Sequence, residues 1–209
     1  MSRIWHGAIA LIATVSLVTQ FILVLDRDGS VVNFFSYFTI QSNILVAIAC
    51  WLIVIRPDRG GTAFGILRLG GLVGITITGI IFSTILAGAV ELDGIDWWTD
   101  KGFHYVVPAM AVIGYVFIKP RTRLDKSALW FLAWAIAWLA YTLIRAEAGS
   151  PRYLVEDGNY SKVPYDFLDV DAHGAGAVAV VSVGVLVIGL ALSAFYVWLS
   201  QRDDTGASA

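Results

Sequence analysis

Charged residues are scarce in this chain of 209 residues. Aspartate, glutamate, lysine and arginine together make up 14% of the sequence, whereas hydrophobic residues make up 58%. Soluble domains contain about 25% charged residues, so the composition excludes an ordinary soluble domain. The formal net charge of −2 also leaves no basic surface for nucleic acid. We therefore expect an all-α, polytopic membrane protein embedded in a lipid bilayer.

Cysteine is almost absent as well. The single cysteine, Cys50, excludes an intrachain disulfide, and its position in an apolar run favours a packing role. The sequence also lacks a glycine-rich phosphate-binding loop, a cysteine cluster and a pair of haem ligands within a hydrophobic run. We therefore expect no cofactor.

Hydrophobic runs, in contrast, are long and frequent. A bilayer crossing needs about 20 mostly apolar residues, and six segments come close to or exceed this length, the fourth being the shortest. We predict a bundle of six transmembrane helices at 4–25, 34–55, 64–90, 103–118, 128–145 and 174–199. The segment 146–173 is too short for a core of its own and is predicted to be a cap loop. Residues 1–209 then form a single integral membrane domain.

The distribution of lysine and arginine predicts how this bundle is oriented. With six crossings, most of these residues fall on the side that holds both termini, and the acidic residues concentrate on the other side. Because positive charge is retained in the cytoplasm, we place both termini there and the cap loop outside. The expected location is a bacterial inner (plasma) membrane. His6 is expected to be an interfacial residue on the inner side.

The stretch FSYFTIQSN at 35–43 carries many polar side chains for a helix in lipid. On a helix with 3.6 residues per turn, Ser36, Thr39 and Asn43 fall within about 60° of one another. Such groups commonly form hydrogen bonds between membrane helices. Their predicted position near the outer boundary of the membrane also suits a site for chemistry.

A second polar group lies in DKGFHYVVP at 100–108. His104 follows Asp100 by one helical turn, so the carboxylate can contact the ring and fix its tautomer. Pro108 cannot donate a backbone hydrogen bond to the carbonyl of His104. A histidine at membrane depth indicates a functional site, and the predicted topology places His104 at the same outer boundary as Thr39.

A third polar group surrounds the cap loop. VPYDFLDVDAHGAG at 163–176 places Asp169 and His173 four residues apart, at the outer start of the last predicted helix. Arg145 ends the fifth predicted helix on the same side. All three groups are therefore expected to converge on the outer face, which makes that face the predicted location of a site.

These stretches resemble a known family. FSYFTIQSN, FHYVVP at 103–108 and VPYDFLD at 163–169, with the six-helix plan, are similar to the bacterial six-helix relatives of the androgen-induced and androgen-dependent integral membrane hydrolases. The animal members hydrolyse fatty acid esters of hydroxy fatty acids with a threonine and a histidine. By this resemblance Thr39 matches the threonine and His104 matches the histidine. The chain departs from the animal pattern at Ser42 and Asn43, where those proteins have a single polar position.

The resemblance implies an integral membrane hydrolase whose substrate is a membrane lipid or fatty acid ester. Thr39 is then the nucleophile and His104 the base that activates it, and the spacing adds Asp100 as the group that orients His104. Contacts with the oxyanion or the substrate are predicted for the remaining polar residues, namely Asn43, Ser36, Ser42, Arg145, Asp169 and His173.

Two alternatives remain open at this point. The two aspartate–histidine pairs could hold zinc in a metal-dependent membrane hydrolase, although the sequence has no HExxH pattern. The chain could instead be a lipid-binding protein or a transporter without enzymatic activity. It shows no internal repeat between its halves, and no charged residue lies near the middle of a predicted helix.

Overall fold

The fold is described from a computed structural model that covers residues 1–87, 92–119, 121–149, 151–154 and 160–202. Helices account for most of these residues: α1 (Ser2–Asp26), α2 (Val31–Ser36), α3 (Phe38–Ile55), α4 (Thr62–Ile81), α5 (Gly94–Lys101), α6 (Val107–Phe117), α7 (Leu132–Ala148) and α8 (Val170–Gln201). Two π-helical turns, Phe82–Leu86 and Gly102–Val106, continue α4 and precede α6. Single 3₁₀ segments lie at Lys126–Phe131 and Asp166–Leu168. The strands β1 (Tyr153–Leu154) and β2 (Tyr160–Ser161) form an antiparallel pair.

Five helical segments of the described chain are long and apolar enough to cross a membrane. They are Ser2–Asp26, Phe38–Ile55, Thr62–Leu86, Lys126–Ala148 and Val170–Gln201. The prediction of an all-α membrane protein is therefore confirmed. The remaining predicted crossing, 103–118, corresponds to the second π-helical turn and α6. It is shorter than the others, and polar residues precede it.

The predicted helix 34–55 is wrong in one respect, because it is interrupted at Tyr37. This residue has extended backbone angles, φ −69° and ψ 129°, between the end of α2 and the start of α3. Thr39 is consequently the second residue of a helix rather than a residue within one. Ser36 belongs to a different helix, so the single polar stripe expected for Ser36, Thr39 and Asn43 does not form.

Side chains occupy the backbone groups that this interruption leaves free. Gln41 Nε2 donates to the carbonyl of Phe35 at 2.9 Å, and Trp138 Nε1 donates to the carbonyl of Ser36 at 2.9 Å. Gln41 Oε1 in turn accepts a hydrogen bond from Trp134 Nε1 at 2.7 Å. An unsatisfied backbone carbonyl in an apolar environment is costly. Among the polar side chains of 35–43, Gln41 therefore serves the break itself.

The core lies where α1, α3, α4 and α6 meet. Ile9, Val46, Ile75 and Val107 are fully or almost fully buried there, and Cys50 joins them as the predicted packing residue. A second cluster joins α4, α8 and the 3₁₀ segment Lys126–Phe131. This arrangement places the first turn of α3 beside the π-helical turn Gly102–Val106 at one end of the bundle.

We call the described part of 149–169 the cap, and the end of the bundle that carries it the cap end. The cap connects α7 to α8 through a cluster of buried residues, Ala146, Val163, Leu168 and Val178. At the same end of the bundle, an ion pair of 2.7 Å joins Arg27, which follows α1, to Asp96 of α5. A contact between the cap and α2 is formed by Asn33 Nδ2, which donates to the carbonyl of Arg152 at 2.8 Å. These contacts hold the described part of the cap against α2 and α7, and its predicted outer location stays a prediction.

The buried environment of His6 differs from the interfacial one predicted. His6 and Arg68 are 3% and 2% exposed, and Arg68 Nη2 lies 3.1 Å from His6 Nε2. His6 Nδ1 faces the carbonyl of Ser2 at 2.9 Å. Since Nδ1 has an acceptor opposite it, Nε2 is the nitrogen that accepts from the guanidinium. This hydrogen bond joins α1 to α4.

The approach between α4 and α6 depends on Gly79. A Cβ atom at this position would lie 3.0 Å from Pro108 Cβ and 3.6 Å from the His104 carbonyl oxygen. The proline ring is fixed by its own backbone and cannot rotate away. We expect Gly79→Ala to force the helices apart and to destabilise the protein by about 1–3 kcal/mol.

Thermal unfolding in detergent measures this effect, and Gly184→Ala on α8 is the matched control. A Cβ atom at Gly184 has nothing within 4 Å, so this substitution is expected to preserve stability or to raise it through helix propensity. Equal unfolding temperatures for the two variants would contradict the tight contact between α4 and α6.

Candidate active site

Thr39 is buried at the cap end, and its hydroxyl faces both the π-helical turn Gly102–Val106 and the cap. The side chain is 7% exposed. Its Oγ1 lies 3.4 Å from His104 Nε2 and 3.1 Å from the Tyr165 hydroxyl oxygen. Because Thr39 is the second residue of α3, backbone N–H groups without helical partners and the positive end of the helix dipole lie beside it.

His104 is held by the residue one turn before it. Its Nδ1 lies 2.8 Å from the Asp100 carboxylate and 3.1 Å from the Asp100 carbonyl. Two acceptors therefore face Nδ1, so the proton of the neutral ring belongs on Nδ1 and Nε2 carries the lone pair. That lone pair points at Thr39 Oγ1. The three side chains thus have the order of a hydroxyl, a base and an orienting acid.

The carboxylate of Asp100 is kept ionised by its neighbours. Burial alone would raise the pKa of this carboxyl group, but the hydrogen bond from His104 and the ion pair with Lys101 together lower the pKa below its ordinary value. Lys101 Nζ lies 3.2 Å from the second carboxylate oxygen. An ionised Asp100 stabilises positive charge on His104, which a base acquires when it removes a proton.

An aromatic ring fixes the plane of the imidazole. Phe82 stacks on His104 with ring centroids 3.8 Å apart and an angle of 7° between the planes. Phe82 begins the first π-helical turn, and His104 lies within the second. Such turns are frequent at functional sites because they rotate a side chain out of the regular helical register. Here the two turns bring the rings face to face.

Tyr165 is a site residue to which the sequence analysis assigned no role. Its hydroxyl oxygen accepts a hydrogen bond from the backbone N–H of Thr39 at 3.1 Å, in addition to its contact with Oγ1. Burial raises the pKa of this phenol, so it remains an O–H donor at neutral pH. The available signal was its position inside VPYDFLD, one of the stretches that carry the family resemblance.

Three residues predicted to bind the oxyanion or substrate serve the local fold instead. Asn43 Nδ2 donates to the carbonyls of Thr39 and Phe103 at 2.8 and 3.4 Å, so its amide does not face Oγ1. Ser42 Oγ lies 3.0 Å from Thr78 Oγ1 and joins α3 to α4. Ser36 Oγ donates to the Val32 carbonyl at 2.7 Å. Each uses its donor on a backbone or interhelical partner.

Arg145 lies at the cap end with neutral partners. Nη2 donates to Asn33 Oδ1 at 2.6 Å, and Nη1 donates to Ser36 Oγ at 3.3 Å and to the Tyr153 hydroxyl. Within the residues that the structure describes, no carboxylate pairs with this guanidinium. The predicted contact of Arg145 with a substrate stays a prediction.

The second predicted aspartate–histidine pair does not form. Asp169 caps the start of α8 and accepts from the backbone N–H groups of Asp171 and Ala172 at 3.0 and 3.2 Å. His173 is exposed and contacts Asp166 instead, at 2.8 Å. Neither residue joins Thr39 and His104. Across the described ranges, no group of three or more His, Cys, Asp and Glu residues could hold a metal ion.

A cavity of about 290 Å³ begins at the site and extends between α4, α7 and α8. Thr39, His104 and Tyr165 contribute polar groups to its wall. Most of the remaining wall is apolar and includes residues such as Val73, Ile77 and Leu139. A concave apolar pocket with a few convergent polar groups is the usual form of a small-molecule site.

Comparisons of the chain with protein-family models, with curated proteins and with solved structures found no match. The likeness to membrane hydrolases therefore rests on three short stretches of sequence. A function for this protein has to be argued from the residues of the site and their geometry.

Tyr165 provides a test of the site that leaves the nucleophile and base in place. Tyr165→Phe removes the hydroxyl that contacts Thr39 Oγ1 and its backbone N–H, while the ring is preserved. We expect kcat for any reaction in which Thr39 Oγ1 attacks a carbonyl group to fall by about 10–10³-fold, because one donor to a developing oxyanion is lost. A matched control is Tyr160→Phe, which alters an exposed tyrosine of the cap. Equal rates in Tyr165→Phe and the wild type would exclude a role for this hydroxyl.

Proposed function

We propose that this protein is an integral membrane hydrolase that cleaves lipid esters, with Thr39 as nucleophile and His104 as general base. The observation that carries the proposal is the chain of contacts from Thr39 Oγ1 to His104 Nε2 and from Nδ1 to Asp100, next to an apolar cavity. A buried hydroxyl, a histidine with a fixed tautomer and an ionised carboxylate are the parts that acyl transfer requires.

The first half of the reaction transfers the acyl group to the protein. Thr39 Oγ1 attacks the ester carbonyl carbon while His104 Nε2 takes the hydroxyl proton. The distance of 3.4 Å suits a resting site, in which catalytic hydrogen bonds are often long. As the tetrahedral intermediate collapses, the bond to the alcohol oxygen breaks and His104 returns the proton to the leaving alcohol.

The second half releases the acid. Water attacks the acyl-threonine, His104 Nε2 takes a proton from that water, and the same proton returns to Thr39 Oγ1 as the fatty acid leaves. In both halves the oxyanion lies beside the Tyr165 hydroxyl and the first turn of α3. These groups supply donors and positive potential where negative charge develops.

The proposed arrangement in the membrane has six crossings, with the segment around α6 as the shortest, and with both termini in the cytoplasm. The cap end then faces the outside of a bacterial inner membrane. The ester carbonyl lies near the headgroup boundary. Arg145 can bind a carboxylate or phosphate group on the substrate. The family resemblance supports this proposal, because Thr39 and His104 match the threonine and the histidine of those hydrolases.

Hydrolysis by the protein reconstituted in vesicles tests the proposal. The substrates are fatty acyl esters of 4-methylumbelliferone supplied in the lipid phase, and the readout is fluorescence together with the released fatty acid. We expect turnover that is absent from vesicles containing Thr39→Ala. If the wild-type protein binds these esters without cleaving them, it is a lipid-binding protein and the hydrolase proposal is wrong.

A further inference from the structure

The long axis of the cavity runs along the helices and away from the reactive groups. At the cap end it is lined by Thr39, His104 and Phe82. Its other end lies nearer the opposite end of the bundle and is lined by residues that include Val73 and Gly189. Val73 and Phe82 are separated by nine positions of the α4 segment, which corresponds to about 13 Å at 1.5 Å per residue.

Part of the cavity wall also forms the outer surface of the bundle. Ile136 of α7 and Val183 and Leu186 of α8 line the cavity, yet they are 60%, 59% and 42% exposed. All three are apolar, and they lie within helical segments long enough to cross a membrane. An apolar opening on a membrane-facing surface admits hydrocarbon from lipid more readily than a polar solute from water.

We propose that this cavity holds one acyl chain of the ester, that the chain enters from the bilayer between α7 and α8, and that Gly189 sets its length. This inference rests on the proposed hydrolase function. A fully extended hydrocarbon chain advances about 1.25 Å per bond, given carbon–carbon bonds of about 1.5 Å. The distance from Phe82 to Val73 therefore accommodates an acyl chain of about ten carbons.

Gly189 is suited to this role because it leaves space that a side chain would fill. A Cβ atom here would lie 3.6 Å from Ile77 Cδ1 and 3.8 Å from Val73 Cγ1, which are ordinary van der Waals contacts. Both neighbours line the cavity. A larger side chain at Gly189 would therefore occupy the end of the cavity without a clash at its Cβ.

The test compares Gly189→Leu with Gly184→Leu in the reconstituted protein. Both substitutions add the same side chain to α8 and gain the same helix propensity, but a Cβ at Gly184 meets open space and Gly184 does not line the cavity. Hydrolysis is measured on 4-methylumbelliferyl butyrate, decanoate and palmitate incorporated in vesicles.

We expect the ratio of kcat/KM for decanoate to that for butyrate to fall at least about tenfold in Gly189→Leu, because each methylene excluded from an apolar pocket costs roughly 10-fold or more. Gly184→Leu should keep the wild-type ratio. Equal ratios in all three proteins, with turnover preserved, would overturn the chain-length inference while leaving the hydrolase proposal intact.

A binding measurement separates the two proposals when turnover is absent. Binding of 4-methylumbelliferyl decanoate and butyrate is measured in the Thr39→Ala background, with and without Gly189→Leu. The inference predicts that Gly189→Leu weakens binding of the long ester at least about tenfold relative to the short ester. If both esters are affected equally, the cavity does not hold the chain, whatever the outcome for hydrolysis.

Discussion

Replacing Thr39 by alanine is expected to lower kcat for ester hydrolysis by at least about 10³-fold, since removal of a nucleophile in comparable enzymes costs up to about 10⁶. Alanine keeps the start of α3 but removes the oxygen that lies between His104 and Tyr165. Thr39→Ser restores an oxygen at this position and should recover most of the lost rate. Steady-state kinetics on reconstituted protein measure kcat for the wild type, Thr39→Ala and Thr39→Ser.

Ser42→Ala is the matched control for this prediction. Ser42 is on the same helix and is also buried, but its hydroxyl contacts Thr78 and the Thr39 carbonyl. Its removal should cost about 1 kcal/mol of stability and leave kcat close to that of the wild type. Thr39→Ala with wild-type activity, or an equal loss in Ser42→Ala, would contradict the assignment of Thr39.

Replacing Asp100 by asparagine is expected to lower kcat by about 10²–10⁴-fold with little change in KM. Asparagine removes the charge that favours protonated His104 and can present a donor to Nδ1, which would place the proton on Nε2 instead. A base whose Nε2 carries a proton cannot accept one from Thr39. The geometry of the hydroxyl and the imidazole would otherwise be preserved.

The effect of Asp100→Asn on stability is also predicted to depend on pH. The pKa of Asp100 is below its ordinary value in the folded protein, so the ionised carboxylate stabilises the fold at pH values above that ordinary value, about 4. This contribution is lost as the pH falls through the lower folded pKa. Unfolding temperatures of wild type and Asp100→Asn should therefore differ at pH 7 and converge in acid.

Asp166→Asn supplies a matched control for Asp100→Asn, both for kcat and for the pH dependence of the unfolding temperature. Asp166 contacts His173 at 2.8 Å, the same distance as between Asp100 and His104, but that pair is exposed and does not contact Thr39. We expect wild-type kcat in Asp166→Asn. A similar loss of kcat in the two variants would show that the effect of Asp100→Asn is not specific to the site.

Much of the helical framework was predictable because membrane helices follow from the length and hydropathy of a segment. The break at Tyr37 was not, since 34–55 contains neither proline nor glycine. It depends on Trp138, which is distant in sequence and donates to the Ser36 carbonyl. The last helix was predicted to begin at 174, whereas α8 begins at Val170. Gly174 lies within α8 with non-helical angles, φ 79° and ψ 150°, which glycine adopts without steric cost.

The site was predictable where contacts are local and unpredictable where they are not. Asp100 and His104 are one turn apart, and their contact follows from helical spacing. The same spacing favoured Asp169 with His173, but Asp169 is instead used as a helix N-cap, which is a common use of aspartate. Tyr165 reaches Thr39 only because the cap folds over the bundle, and apart from its position inside VPYDFLD nothing in the sequence indicates that contact.

The most direct test of the central claim is reaction of the purified protein with a fluorophosphonate probe, followed by mass spectrometry of the labelled peptide. Such a probe forms a covalent bond with a hydroxyl that an adjacent base has activated. We predict a label on Thr39 that disappears in His104→Ala. A folded wild-type protein, as judged by its unfolding temperature, that remains unlabelled or carries the label on another residue would contradict an activated Thr39.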